Sequence, residues 1–277
     1  MEARTPAQVL EYTSDVGVAK VRRKKSAQLI LGFLAGVFIA FASEGSNVAA
    51  YNLFANTETY GLGRVLAGAV FGTGLMLVLL AGGELFTGNT LIIVGVLDRK
   101  VRLLEMLSNW VVVYIGNLLG SLFIAFMIVQ SGQLNYSGGL LGAVTIKIAA
   151  GKTALSFQSA FFLGVMCNWL VCLAVWVSYA AKDVTGKILS VFFIICLFIT
   201  SGFEHSVANM YYIPVGIMAK TNELWAGLSG QTAEQLAGLN WGSFFYKNLL
   251  PVTLGNIVGG SGMVGCLYWL SLKQKKE

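Results

Sequence analysis

Residues 201–210 read Ser-Gly-Phe-Glu-His-Ser-Val-Ala-Asn-Met, between two apolar runs at 188–200 and 211–218. The stretch holds the one histidine of the chain, His205, directly after Glu204. With the flanking runs in a membrane, two ionisable groups sit near mid-depth. Ionisable groups there are costly and mark a substrate or proton path. Gly202 opens the stretch and predicts a break in the helix. Irregular backbone at that depth is tolerated only where protein buries it or a cavity uses it.

The composition agrees with a membrane setting. The chain has 277 residues, 56% hydrophobic and only 12% charged, with a mean hydropathy of +0.72. A soluble domain carries roughly 25% charge. Its 33 glycines suit closely packed membrane helices. The formal charge of +6 falls in membrane-flanking segments and implies no nucleic-acid partner. Cys167, Cys172, Cys196 and Cys266 all lie in apolar runs. Their spacing fits no metal site, and they read as small buried hydrophobes. No metal or cofactor is expected. The first 28 residues are polar and basic, without the apolar core of a cleavable leader.

A spanning helix takes about 20 mainly apolar residues. Six segments qualify: 29–50, 65–97, 103–129, 154–181, 188–219 and 244–272. The second and fifth are too long for one crossing, and each is interrupted at its middle. Both are expected to be discontinuous helices. Residues 1–28 form an N-terminal segment whose helix, with Val9, Leu10, Val16 and Val21 on its apolar side, reads as a membrane-surface anchor or a gate. Residues 29–272 form the membrane domain, and 273–277 a short tail. Arg4, Lys20 to Lys25, Arg99, Lys100, Arg102, Lys182, Lys187, Lys273, Lys275 and Lys276 fall on one side. The opposite loops hold Arg64, Lys147, Lys152, Lys220 and Lys247. The positive-inside rule then puts both termini in the cytoplasm.

Gly82-Gly-Glu-Leu-Phe-Thr-Gly-Asn89 and Gly202-Phe-Glu-His-Ser-Val-Ala-Asn209 share Gly-x-Glu-x-x-x-x-Asn. One lies in the second span and one in the fifth. Three spans per half gives an inverted 3+3 repeat, and interrupted helices at matching places point to a central transport site.

His205 can hydrogen-bond an anion near mid-membrane or supply it with a proton, or serve simply as a packing residue. Positive potential from half-helix N-termini lowers the cost of an anion there. A carboxylate would repel that anion, so Glu84 and Glu204 read as structural or gating groups that hold broken backbone or pair with a base such as Lys20. Thr87, Asn89, Asn209 and Asn256 are polar groups in apolar runs, read either as pore-lining or as contacts between helices. Phe71 and Leu75 share a helix face before the first interruption, and Phe198 approaches the second. Apolar rings gate narrow pores by excluding water, and they also serve as plain packing.

Three motifs make a resemblance specific: Gly82 to Asn89, Gly202 to Met210, and Pro-Val-Thr-Leu-Gly-Asn-Ile-Val-Gly-Gly at 251–260. With Asn-Trp-Leu-Val-Cys-Leu-Ala-Val-Trp-Val-Ser at 168–178, the chain resembles the formate/nitrite transporter family from about Gly17 onward. The resemblance implies an all-α, aquaporin-like protomer in a homopentamer, set in the cell membrane, each protomer with its own pore. It implies passage of formate, nitrite or hydrosulfide and no enzymatic activity. His205 then lies between an outer constriction of Phe71, Val171 and Phe198 and an inner one of Leu75, Leu85, Phe86 and Thr87. Asn256 matches a pore asparagine of the sixth helix and Lys147 a vestibule lysine that attracts anions. Lys20 matches a lysine expected to tie the N-terminal helix to Glu204. A water- or glycerol-type channel would need paired Asn-Pro-Ala motifs, which Gly-Asn-Thr and Ala-Asn-Met do not supply. A redox subunit would need cofactor ligands, and a single histidine cannot supply two to a haem.

Overall fold

The computed structural model describes residues 2–273 and is helical throughout, with no strand among them. The residues 274–277 of the expected tail, with Lys275 and Lys276, lie outside the described residues.

Helix α1 spans Pro6–Arg22, and Thr5 closes a capping box with Gln8 at its start. The first span, α2, is Lys25–Phe54. The second is split into α3, Tyr60–Gly82, and the short α4, Phe86–Leu97. Helix α5 is Leu103–Gln130, α6 is Tyr136–Thr153 and α7 is Phe157–Ala180. The fifth span is split into α8, Val184–Ser201, and α9, Ser206–Ala219. Two short helices, α10 (Glu223–Leu228) and α11 (Ala233–Gly238), lead to α12, Ser243–Leu272. Among the described residues six helices are long and apolar enough to cross a membrane: α2, α3, α5, α7, α8 and α12. Glycines end the first half of each split span in left-handed backbone, Gly82 at φ +96° and Gly202 at φ +78°, a conformation that a Cβ disfavours.

The packing repeats. Helix α2 lies against α5 and α3, and α7 lies against α12 and α8. Helices α3 and α8, the matching members of the two halves, pack on each other. The close pairs are built on glycines. A Cβ at Gly120 on α5 would stand 2.1 Å from the Phe33 carbonyl oxygen of α2, and one at Gly255 on α12 would stand 2.2 Å from the Phe161 oxygen of α7. Small residues let backbones approach to this extent where no hydrophobic effect drives helices together.

Two segments differ from the sequence reading. Residues 136–153, expected as a loop, form α6, kinked near its start where Ser137, Gly138 and Gly139 have left-handed backbone; its two lysines and small residues keep its hydropathy below that of a span. Helix α1 turns its apolar side to protein. Val9 and Leu10 are buried, and the helix packs on α4, α7 and α12, with the Gly17 Cβ position 3.5 Å from the Ile92 Cα. Val16 and Val21 are half-buried. The four-element repeat is therefore α1–α2–α3/α4–α5 and α6–α7–α8/α9–α12: each half begins with a short helix docked on its own half-helix.

Replacing Gly120 by valine should overpack the α2–α5 contact, at a cost of about 1–3 kcal/mol. Gly61→Ala, whose Cβ meets nothing within 4 Å, should be neutral. Heating the purified variants in detergent compares them; a Gly120→Val protein as stable as its parent would contradict this helix contact.

Candidate functional site

The two breaks are held by the same set of bonds. In the first, the Asn117 Oδ1 accepts from the Phe86 N–H at 2.9 Å, and its Nδ2 donates to the Gly32 and Glu84 carbonyls at 2.8 and 2.9 Å. In the second, the Asn256 Oδ1 accepts from the Ser206 N–H at 2.9 Å, and its Nδ2 donates to the Gly164 and Glu204 carbonyls at 2.8 and 3.0 Å. The Glu84 N–H reaches the Leu31 carbonyl and the Glu204 N–H the Leu163 carbonyl. Each asparagine is fully buried and pairs backbone that would otherwise be orphaned in an apolar medium. Asn256, expected to face the pore, has its whole amide engaged on the broken backbone instead.

The carboxylates follow the same symmetry. Glu84 accepts from the Lys20 Nζ at 2.8 Å, from Arg23, and from the Asn89 Nδ2 at 2.7 Å. Asn89 also accepts from Lys20 and donates to Asn109, so it too is used up within the cluster. Glu204 accepts from the Lys152 Nζ at 2.7 Å and from the amides of Asn209 and Asn248. Lys20 therefore pairs with Glu84 and not with Glu204, as the resemblance had implied. Each lysine comes from the short helix docked on its own half: Lys20 from α1, Lys152 from α6. Lys152 escaped the sequence reading because it was counted as a loop charge. The available signal was its offset from Gly164, the same as that between Lys20 and Gly32.

Where the repeat departs from symmetry, chemistry appears. Leu85 stands at the start of α4, and its counterpart at the start of α9 is His205. The His205 Nδ1 accepts from the Ala208 N–H at 3.0 Å, capping α9. That bond leaves the ring proton on Nε2, which lies 2.9 Å from the Thr87 Oγ1 in the first turn of α4. The N-terminal ends of both half-helices thus meet at one hydrogen bond, and both direct positive potential at it.

Apolar side chains lie on either side of this contact. Phe71 and Phe198 meet edge to face with ring centroids 5.8 Å apart, and the Phe198 ring lies 6.0 Å from the imidazole. Val171 is buried on α7. Beyond Phe198 opens a vestibule of about 510 Å³, whose lining includes Lys147, Lys152, Glu204, His205 and Asn209. Lys147 is exposed, with no ion-pair partner among the described residues. On the α1 side the space shrinks to about 30 Å³, bounded by Leu75, Leu85, Asn89 and Lys20 among others. Phe86 does not join Leu75 and Leu85 there. Its ring packs away from the cavity, against Tyr114 and Trp110 of α5 at 4.8 and 5.9 Å, because its N–H is drawn to Asn117. Among the described residues no group of three or more His, Cys, Asp or Glu could hold a metal ion.

A buried donor pair between opposed half-helices, walled by apolar rings, with an open vestibule on one side, is the geometry of a selective pore. The sequence pattern of the formate/nitrite transporter family matches residues 7–270. The chain belongs to that family. A probable formate transporter of Methanothermobacter thermautotrophicus is 40% identical over 96% of both chains, and the formate channel FocA of Haemophilus influenzae is 38% identical over 95% of this chain and 93% of that one. A solved pentameric formate channel with formate bound superposes with a TM-score of 0.79 at 38% identity, covering 89% of this chain and 97% of that chain. A solved ion channel of the same family gives 0.75 at 27% identity, over 95% and 98%.

Lys152→Met should leave Glu204 charged and unpaired in a nearly buried site, a loss of about 3 kcal/mol or more. Adding Glu204→Gln should recover most of it. Thermal midpoints of the single and double variants test this: a double variant no more stable than Lys152→Met alone would show that the pair does not act as one unit.

Proposed function

We propose that the protein is a homopentameric channel or transporter for small monovalent weak-acid anions, with formate as the substrate, in the cell membrane. Each protomer carries its own pore. Helix α1 and both termini face the cytoplasm, and the vestibule opens to the outside. The names of the relatives support formate. The observation that carries the reading is the His205–Thr87 contact where the two half-helix N-termini converge.

The physical argument is one of cost. A bare anion in an apolar medium loses many kcal/mol of hydration. Fixed donors and helix ends aimed at one point return part of that loss without having to reorganise. Positive charge in the vestibule, Lys147 included, raises the local anion concentration. The anion then passes Phe71, Val171 and Phe198, takes hydrogen bonds from the Nε2 of His205 and the hydroxyl of Thr87, and leaves between Leu75 and Leu85. The apolar residues exclude water, so an ion passes only where these donors replace its shell. Glu84 and Glu204, neutralised by Lys20 and Lys152, brace the two breaks without repelling the anion. Nitrite and hydrosulfide carry the same charge and are of similar size, and they pass by the same contacts.

Liposomes containing the purified protein should take up formate, and His205→Phe should abolish that flux while the assembly stays intact in size-exclusion chromatography. Unchanged flux in that variant would remove His205 from the mechanism. Recording internal pH in the same experiment separates two modes: acidification marks proton-linked passage, and charging of the membrane without acidification marks an anion channel.

A further inference from the structure

Arg64 lies on α3, just inside its start, and lines the vestibule. Its guanidinium donates through Nη2 to the Ile199 carbonyl and through Nε to the Thr200 carbonyl at 3.5 Å. Both carbonyls belong to the last turn of α8, which ends at the left-handed Gly202. A helix C-terminus carries the equivalent of about half a negative charge. This one opens into the same cavity as His205, so an anion heading for the positive end of α9 first meets the negative end of α8. Arg64 covers that end with a full positive charge.

The rest of the lining shows why this charge counts. Among the described residues its charged groups are Arg64, Lys147 and Lys152 against a single carboxylate, Glu204. Lys152 is paired with Glu204. Arg64 has no carboxylate partner among the described residues, and its hydrogen bonds go to neutral carbonyls that hold it in place. A guanidinium has five N–H donors in a rigid fork. Two are used here, and three have no protein partner among the described residues. Lys147, by contrast, is exposed, and no side-chain bond fixes it among the described residues.

We propose that Arg64 is the anion-capture residue of the vestibule: it offsets the carbonyl end of α8 and presents its remaining donors to an incoming carboxylate or other planar monovalent anion. This assignment rests on the reading of the protein as an anion pore and names its specificity-determining group. The fork geometry favours planar oxyanions, because it can engage two oxygens at once.

The test uses the full chain in liposomes, in a background of Cys196→Ser and Cys266→Ser. Ile148→Cys is added to place a thiol on the vestibule wall. Two quantities are compared in this parent and in its R64Q and R64K derivatives. One is the formate concentration giving half-maximal flux. The other, independent of transport, is the ratio of the rates at which the introduced thiol reacts with an anionic and with a cationic methanethiosulfonate reagent. R64Q should raise the half-saturating concentration by about tenfold, the effect of one lost charged hydrogen bond, with maximal flux changed less than about twofold. Its reagent ratio should fall severalfold, and both effects should shrink at high salt. R64K should keep the reagent ratio but not the parental half-saturation. A parental ratio and half-saturation in an assembled R64Q protein would overturn the assignment. If R64Q does not assemble, R64K decides: a parental half-saturation overturns the role of the fork, and a raised one supports it. A parent that moves no formate but loses its preference for the anionic reagent on R64Q would retain Arg64 as the capture site and reject formate as the substrate.

Discussion

Everything at the centre of this protein depends on satisfying backbone groups where no water is available to satisfy them. A helix broken at mid-membrane leaves N–H and C=O groups exposed to an apolar medium, at several kcal/mol for each group left unpaired. Asn117 and Asn256 meet that demand in two copies of one arrangement, each amide bridging a broken stretch of chain to the neighbouring span. With the breaks held open in this way, the half-helix ends can face inward, and the ends supply the donors and the field. The glycine contacts between α2 and α5 and between α7 and α12 serve the same purpose, since they bring the carbonyls of Gly32 and Gly164 within reach of those amides.

The function lies in the differences between the halves. The first carboxylate has two cations, Lys20 and Arg23, and the second has one, Lys152. Leu85 opens one half-helix and His205 the other. The α1 side is nearly filled, and the opposite side opens into the vestibule. A strictly symmetric protomer would present the same surface to both compartments. Here the scaffold is duplicated, and the side chains along the permeation line are not.

The sequence displayed the spans, their two interruptions and the inverted repeat, because each depends on local composition: apolar length, glycine, and the Gly-x-Glu-x-x-x-x-Asn pattern. The singular histidine was visible for the same reason. What stayed hidden required knowing which side of the bundle each residue reaches. Lys20 and Glu204 look like natural partners on charge alone, but they sit on opposite faces, and the repeat assigns each carboxylate the lysine of its own half. The family resemblance makes Phe86 a pore residue, yet the bond from its N–H to Asn117 turns the ring into α5. Asn109, Asn117 and Asn248 are single amides within long apolar helices, and nothing local distinguishes them from ordinary contacts between helices. Helix α6 does not show in the sequence because a short helix carrying two lysines does not resemble a span, and α1 reads there as a membrane-surface anchor or a gate because amphipathicity cannot tell a protein surface from a bilayer.

The cap on α9 bears on how protons can travel. A wire through an imidazole takes a proton at one nitrogen and releases it at the other. In His205 one of those nitrogens is already committed, since its lone pair holds the Ala208 N–H and with it the first turn of α9. Conduction through the ring would have to break and remake that capping bond in every cycle. The cap therefore favours the ring as a stationary dipole with its Nε2–H facing Thr87, and adds to any relay through it the cost of a lost helix cap, about 0.5–2 kcal/mol.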